Sequence, residues 1–96
     1  MITEEVTDEE QFEEATQDRV IVDFYADWCG PCRQLAPVLE DIDVPVVKVD
    51  VDEHPEIAQE YGVMSLPTLG LFESGNELDR IVGVTSKSEI KELHTR

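Results

Sequence analysis

The chain has 96 residues, with 23 Asp and Glu against seven Lys and Arg, so its formal net charge is −16 at pH 7. This length predicts a single domain, residues 1–96, and hydrophobic residues make up 41% of it, enough for one core without a structural metal. The charge argues against binding to nucleic acid or an anionic membrane, and no apolar run could span a bilayer. The acidic N-terminus is unlike a signal peptide, so we expect a cytoplasmic protein.

The N-terminal third predicts a strand, a helix and a second strand. Residues 2–6 predict a short edge strand. Thr7 and Glu10 have the spacing of a capping box, which predicts that Thr7 caps a helix over residues 8–16. Residues 20–25 are β-branched and aromatic, except for one Asp, and predict a strand buried on both faces.

The sequence Trp-Cys-Gly-Pro-Cys at residues 28–32 contains the only two cysteines of the chain. Pro31 suits the first turn of a helix, and apolar residues at helical spacing continue to Ile42, so we expect the helix to end near Ile42 or Asp43. Pro37 lies inside this helix and should kink it. Two thiols at a strand-to-helix transition favour a pair that cycles between dithiol and disulfide.

The C-terminal half continues the alternation of strands and helices. Ser86 and Glu89 have capping-box spacing at the start of the last helix. The order βαβαβαββα predicts an α/β fold, with a mixed sheet and helices on both faces. The predicted elements are a strand at 46–51, a helix at 55–61, strands at 67–72 and 78–82 around a turn at 73–76, and a helix at 86–94.

The motif at residues 28–32 resembles that of the thioredoxin family. Further matches lie at 36–37, 49–52, 61–63, 66–69, 72–75 and 82–83, so the similarity runs from about residue 6 to 93. The resemblance implies the thioredoxin fold and a thiol–disulfide oxidoreductase that reduces protein disulfides and is recharged by a thioredoxin reductase. It implies no cofactor and no metal, and we expect a monomer. The chain is shorter than is usual for the family between Pro37 and Lys48, and Tyr25 stands where many members have Trp.

The two cysteines have different expected roles. Cys29 would lie at the helix N-terminus, where unpaired N–H groups favour a thiolate and lower its pKa below the ~8.5 of a free thiol. We expect Cys29 to be the nucleophile and Cys32, more buried, to resolve the mixed disulfide. Gly30 would let a substrate chain approach closely, and Pro31 would stiffen the loop.

Asp23 is the one charged residue in its apolar strand. It either points to solvent from a half-exposed strand or acts as a proton relay for Cys32, with its pKa raised by burial. The resemblance implies the second role, with Lys48 as the partner of Asp23. A surface lysine is the alternative for Lys48.

An apolar substrate patch around Cys29 is implied by the resemblance. Pro67 matches the family's cis-proline, which would expose the backbone of Leu66 to an extended substrate strand. The patch would consist of Trp28, Gly30, Pro31, Leu66, Pro67, Val82 and Gly83. The alternatives are a core position for Trp28 and an ordinary turn for Gly83.

Two other functions remain open from the residues alone. A thioredoxin-like binding module without turnover would be distinguished by an insulin-reduction assay. A zinc site needs four ligands, and one CxxC supplies two. We expect His54 and His94 to be solvated and Met64 to be a packing residue. The acidity itself fits either an ordinary acidic protein or one adapted to a salt-rich cytoplasm.

Overall fold

Five strands form one mixed sheet in the order β1-β3-β2-β4-β5 in the computed structural model, which describes all residues 1–96. β1, β3 and β2 are parallel, and β4 and β5 run antiparallel to their neighbours. No helix combines the length and apolar character needed to cross a lipid bilayer. The elements in chain order are β1 Ile2–Glu5, α1 Glu9–Ala15, β2 Val20–Tyr25, α2 Gly30–Asp41, β3 Val46–Asp50, α3 Pro55–Glu60, β4 Thr68–Glu73, β5 Asn76–Val82 and α4 Lys87–His94.

Each face of the sheet carries its own apolar core, because successive side chains of a strand point to opposite faces. Val20, Val22 and Phe24 of β2 pack in one core with Phe12 of α1 and Ile57 of α3. The other core contains Ile21 of the same strand together with apolar residues of α2 and α4. This alternation sends the Asp23 side chain to the face that α2 covers.

The β4–β5 hairpin has a two-residue turn that its sequence predicts well. Ser74 and Gly75 both have positive φ, 54° and 76°, as the tight turns that suit the twist of a hairpin require. β5 starts at Asn76, two residues before the predicted strand, because pairing continues up to the turn.

The N-cap of α1 is Asp8, so the prediction of Thr7 was wrong by one residue. The Asp8 carboxylate accepts the N–H of Gln11 at 2.8 Å, and the Gln11 side chain accepts the N–H of Thr7. The capping interactions are thus shifted by one position, with Gln11 in the place expected for Glu10. Ser86 caps α4 as predicted, accepting the N–H of Glu89 at 3.2 Å.

The shortened segment after the cysteines is stabilised by charged groups at the end of α2. α2 continues through Pro37, and Ile42 is already extended, close to the predicted end. The ammonium group of Met1 donates to the carbonyl of Leu39 at 2.7 Å and also to that of Ile42. Lys87 of α4 bonds to Asp41 at 2.5 Å. Carbonyl groups left unpaired at the helix end are therefore satisfied from elsewhere in the fold.

His54 is buried, contrary to the expectation of a solvated residue. It is 7% exposed, and its Nε2 lies 3.0 Å from the carbonyl of Val6. Its place at the start of the short α3 turns the ring towards the loop after β1. His94 is half-buried, with Nε2 3.3 Å from the carbonyl of Arg19.

Candidate active site

The two cysteines lie beyond the ends of the parallel strands β2 and β3, where open α/β sheets bind their ligands. Three residues separate the end of β2 from Cys29, which is the N-cap residue of α2. Cys29 and Cys32 form a disulfide with their Cα atoms 5.3 Å apart. The sulfur of Cys29 accepts the backbone N–H of Cys32 at 3.2 Å. An N–H of the first helical turn is therefore aimed at the Cys29 sulfur, where it favours negative charge.

The expected difference in burial between the cysteines is not observed in the disulfide form. Cys29 is 4% exposed and Cys32 is 8% exposed. Both belong to a small buried cluster with Ala26, against which Tyr25, Val51 and Leu66 pack. Exposure thus does not distinguish the two cysteines, but they line different cavities.

Cys29 borders the larger cavity, of about 500 Å³, between the α2 N-terminus and α3. Trp28 lines it and is 68% exposed, so this indole covers the site and is not part of the core. Its Nε1 donates to the Asp52 carboxylate at 2.8 Å, which holds the ring in place beside the cavity. The rest of the lining is mostly apolar and comprises Gly30, Pro31, Val51, Pro55, Ala58, Gln59, Val63, Met64 and Leu66.

Met64 is the most exposed of the large apolar side chains, at 94%, and the expectation that it packs in the fold was wrong. It lies in the stretch between α3 and β4, which leads around the cavity to Leu66. This stretch has no helical or strand pairing that would turn the side chain inwards.

The remaining predicted patch residues lie beside the cavity and do not line it. The Leu66–Pro67 peptide bond is cis. Gly83 donates its N–H to the Pro67 carbonyl at 2.8 Å and has φ of +94°, which favours glycine. Val82 at the end of β5 is half-exposed. Val82 and Gly83 are thus linked to the site by the hydrogen bond from Gly83 to Pro67. One side of the cavity is lined by α3, which the sequence did not predict.

Asp23 is 4% exposed, so the solvent-facing alternative was wrong. Its Oδ1 is buried without a hydrogen-bond partner. Burial raises the pKa of Asp23 to about 7; the Lys48 charge opposes this shift and the Glu5 charge adds to it. Asp23 and Lys48 are directly paired in register between β2 and β3. A carboxyl group that titrates near neutral pH can both accept and donate a proton there.

Lys48 is held by the ring of Tyr25. Its Nζ lies 4.1 Å from the ring centroid, a cation–π contact, and the Tyr25 hydroxyl donates to Glu5 at 2.8 Å. Burial, followed by the Glu5 hydrogen bond, raises the pKa of Tyr25. Lys48 and Tyr25 line a second, smaller cavity of about 130 Å³ together with Cys32. Cys32 therefore faces the side of the sheet that holds Asp23 and Lys48.

Comparison with known proteins identifies the family. The thioredoxin family model matches residues 3–96, and a thioredoxin of Chlamydia caviae is 48% identical over 79 residues, 77% of this chain and 78% of that protein. The chain belongs to the thioredoxin family. A bifunctional thioredoxin reductase/thioredoxin of Mycobacterium leprae is 44% identical over 93% of this chain and 21% of its own length. A mutant thioredoxin from Halobacterium salinarum has a TM-score of 0.84 at 41% identity, covering 93% of this chain and 84% of that one.

The family and the Cys29–Cys32 disulfide together give the activity. The protein is a thiol–disulfide oxidoreductase that reduces protein disulfides while its two cysteines pass from dithiol to disulfide. The thioredoxin fold, with its mixed five-stranded sheet, is likewise as predicted. Sequence reasoning missed Asp52, although its place directly after the third predicted strand could have indicated a position at this end of the sheet.

Proposed function

We propose that Cys29 is the nucleophile and Cys32 the resolving thiol. The N–H of Cys32 aimed at the Cys29 sulfur carries this assignment, because it stabilises a thiolate at Cys29 and not at Cys32. The larger cavity adjoins Cys29, so a substrate disulfide has access to that sulfur first.

The reaction then proceeds by two exchanges. The Cys29 thiolate attacks one sulfur of the substrate disulfide, forms a mixed disulfide and releases the other substrate sulfur as a thiolate. Cys32 transfers its proton towards Asp23, and the Cys32 thiolate attacks the Cys29 sulfur. The mixed disulfide breaks, the Cys29–Cys32 disulfide forms, and the second substrate thiolate leaves. The substrate gains two electrons, and the dithiol loses them.

We assign the proton relay to Asp23. The positive charge of Lys48 opposes the rise of the Asp23 pKa. The strand alternation that turns Asp23 towards α2, the side of Cys32, supports this role. Its raised pKa means that the carboxyl group is partly ionised at neutral pH and can accept the thiol proton. The Lys48 charge limits that rise, while the Lys48 ammonium group lies over the Tyr25 ring.

We propose that substrate docks across Trp28, Gly30, Pro31 and Leu66, with Pro67, Val82 and Gly83 on the adjoining side. Neither the N–H nor the carbonyl of Leu66 is used in a backbone hydrogen bond of the fold. Both are therefore free to pair with an extended substrate segment. The cavity beside Trp28 would accept an apolar side chain of that segment.

The partners are disulfide-containing proteins and a thioredoxin reductase. The reductase partner is supported by the Mycobacterium leprae relative, whose name joins the two activities in one chain. Residues 1–96 act as one domain in the cytoplasm, where a reducing environment keeps a dithiol supplied with electrons. Both edge strands carry carboxylates, Glu4 and Glu5 on β1 and Glu77 and Asp79 on β5, which disfavours edge-to-edge pairing and supports a monomer.

Adaptation to high salt is a second proposal, supported by the charge of −16. Eight of the acidic residues lie within the first 18 positions, on and around α1. Concentrated cations would screen their repulsion.

Alkylation of the reduced protein tests the cysteine roles. Iodoacetamide is added in substoichiometric amount across pH 5 to 9, and the modified peptides are quantified by mass spectrometry. We expect carbamidomethylation at Cys29 to exceed that at Cys32 throughout. Faster modification of Cys32 would reverse the roles.

A further inference from the structure

Met64 places an oxidisable sulfur at the entrance of the substrate cavity. Its side chain is 94% exposed, yet it lines the same cavity as Cys29 and Trp28. Together with the exposed Trp28 it forms an apolar patch around this cavity, and exposed apolar patches mark contact surfaces. A thioether is flexible and polarizable, so it can adapt its shape to different apolar substrate side chains.

The chemistry of this sulfur differs from that of the cysteines. In the disulfide form the chain has no free thiol, so neither cysteine competes as a thiolate for a peroxide. The Met64 thioether attacks one oxygen of hydrogen peroxide, the O–O bond breaks, and water leaves after a proton shift. The sulfur becomes a sulfoxide and loses two electrons, which the peroxide gains. The sulfoxide is polar, and methionine sulfoxide reductases reverse the change.

We propose that Met64 is a reversible oxidation site whose sulfoxide weakens the docking of disulfide substrates at Cys29. The inference rests on the docking role proposed above for the cavity. A sulfoxide oxygen at the entrance would lose its hydrogen bonds to water when an apolar substrate side chain enters the cavity. One poorly paired polar group predicts a rise in KM of about three- to tenfold. The value of kcat should stay within twofold, because Met64 contacts neither the Cys32 N–H nor the Asp23 side of the site.

The experiment starts from the purified disulfide form, treated with millimolar hydrogen peroxide until Met64 is fully converted. Mass spectrometry of peptides follows Met64 and Met1, the only other methionine, which is half-exposed and whose ammonium bonds to the far end of α2. We expect Met64 to be oxidised faster. Insulin reduction is then measured with dithiothreitol as electron donor, and the expected result is a raised KM with kcat retained.

Two variants separate this effect from other damage. Met64→Leu should show the same KM before and after peroxide. In the Met64→Leu background, Leu78→Met adds a half-exposed methionine away from the cavity, and its oxidation should also leave KM unchanged. Treatment of the oxidised wild-type protein with methionine sulfoxide reductase should restore the original KM.

The outcomes that would overturn the inference are equally defined. An unchanged KM at full conversion of Met64 refutes it, and so does an equal rise of KM in the Met64→Leu variant. The docking proposal has its own control in the untreated Trp28→Ala variant. A KM equal to that of the wild-type protein there would refute docking in the cavity itself, whereas an unchanged KM in the oxidised wild-type protein would refute only the role of Met64.

Discussion

Asp23→Asn should change how the stability of the protein depends on pH. The folded pKa of Asp23 is about 7, against 3.8 for an ordinary aspartate, so ionisation is disfavoured in the folded state. The free energy of unfolding is therefore reduced progressively as pH rises from 3.8 to about 7, and the loss is constant above that. The difference of the two pKa values corresponds to a total loss of about 4 kcal/mol in the free energy of unfolding. About 3 kcal/mol of this loss occurs between pH 5 and pH 9.

The comparison of wild type and variant isolates this quantity. An amide has no titration in this range, so any packing cost of Asn is the same at every pH. Urea unfolding of both disulfide forms at pH 5, 7 and 9 should show the variant gaining stability over the wild type by about 3 kcal/mol from pH 5 to pH 9. The exposed neighbour Asp27→Asn serves as the control and should show no such gain. A stability difference for Asp23→Asn that does not vary with pH would refute the raised pKa.

Three further perturbations test other parts of the site. Lys48→Met removes the positive charge that opposes the rise of the Asp23 pKa. The pKa of Asp23 should therefore increase, and the acidic limb of the pH profile of kcat should move to higher pH. Lys48→Arg keeps the charge and should leave that limb nearly in place. Asp52→Ala frees the Trp28 indole, which should lower the fluorescence anisotropy of the only Trp and raise KM about two- to fivefold. Molar KCl shortens the Debye length to ≈ 3 Å from ≈ 30 Å at 0.01 M, so the melting temperature of the disulfide form should rise with KCl or NaCl.

Each of these has a result that would contradict it. An unshifted profile in Lys48→Met would mean that the lysine charge does not reach Asp23. Equal anisotropy and KM in Asp52→Ala and the neighbouring control Glu53→Ala would exclude an anchoring role for Asp52. A melting temperature that does not change with KCl concentration, or that rises equally in sorbitol, would contradict salt adaptation by charge screening.

Local sequence patterns predicted the elements that hold the site. The apolar run of β2, the Cys-Gly-Pro-Cys sequence at the start of α2 and the turn at Ser74 and Gly75 each fix a conformation through their own residues. The family resemblance added the strand order and pointed to the cis bond before Pro67, which no periodicity contains. The apolar run around Asp23 favoured its burial, although the residues alone left a solvent-facing position open.

Contacts between distant segments were harder to predict. His54 is buried because the loop after β1 passes over it, and no feature near residue 54 encodes that loop. The exposure of Met64 and the bond from Trp28 to Asp52 depend on how α3 lies against the α2 N-terminus. Thr7 and Asp8 are both residue types that cap helices, and Asp8 is the cap, with its side chain accepting the N–H of Gln11.

Trapping of a substrate intermediate tests the central claim most directly, namely that Cys29 attacks the substrate and Cys32 releases it. The reduced Cys32→Ser and Cys29→Ser variants are each mixed with insulin, alkylated, and separated on non-reducing gels with mass spectrometry of the adducts. We expect Cys32→Ser to accumulate a mixed disulfide through Cys29 and Cys29→Ser to form none. A mixed disulfide that accumulates through Cys32 in Cys29→Ser, with none in Cys32→Ser, would contradict the account.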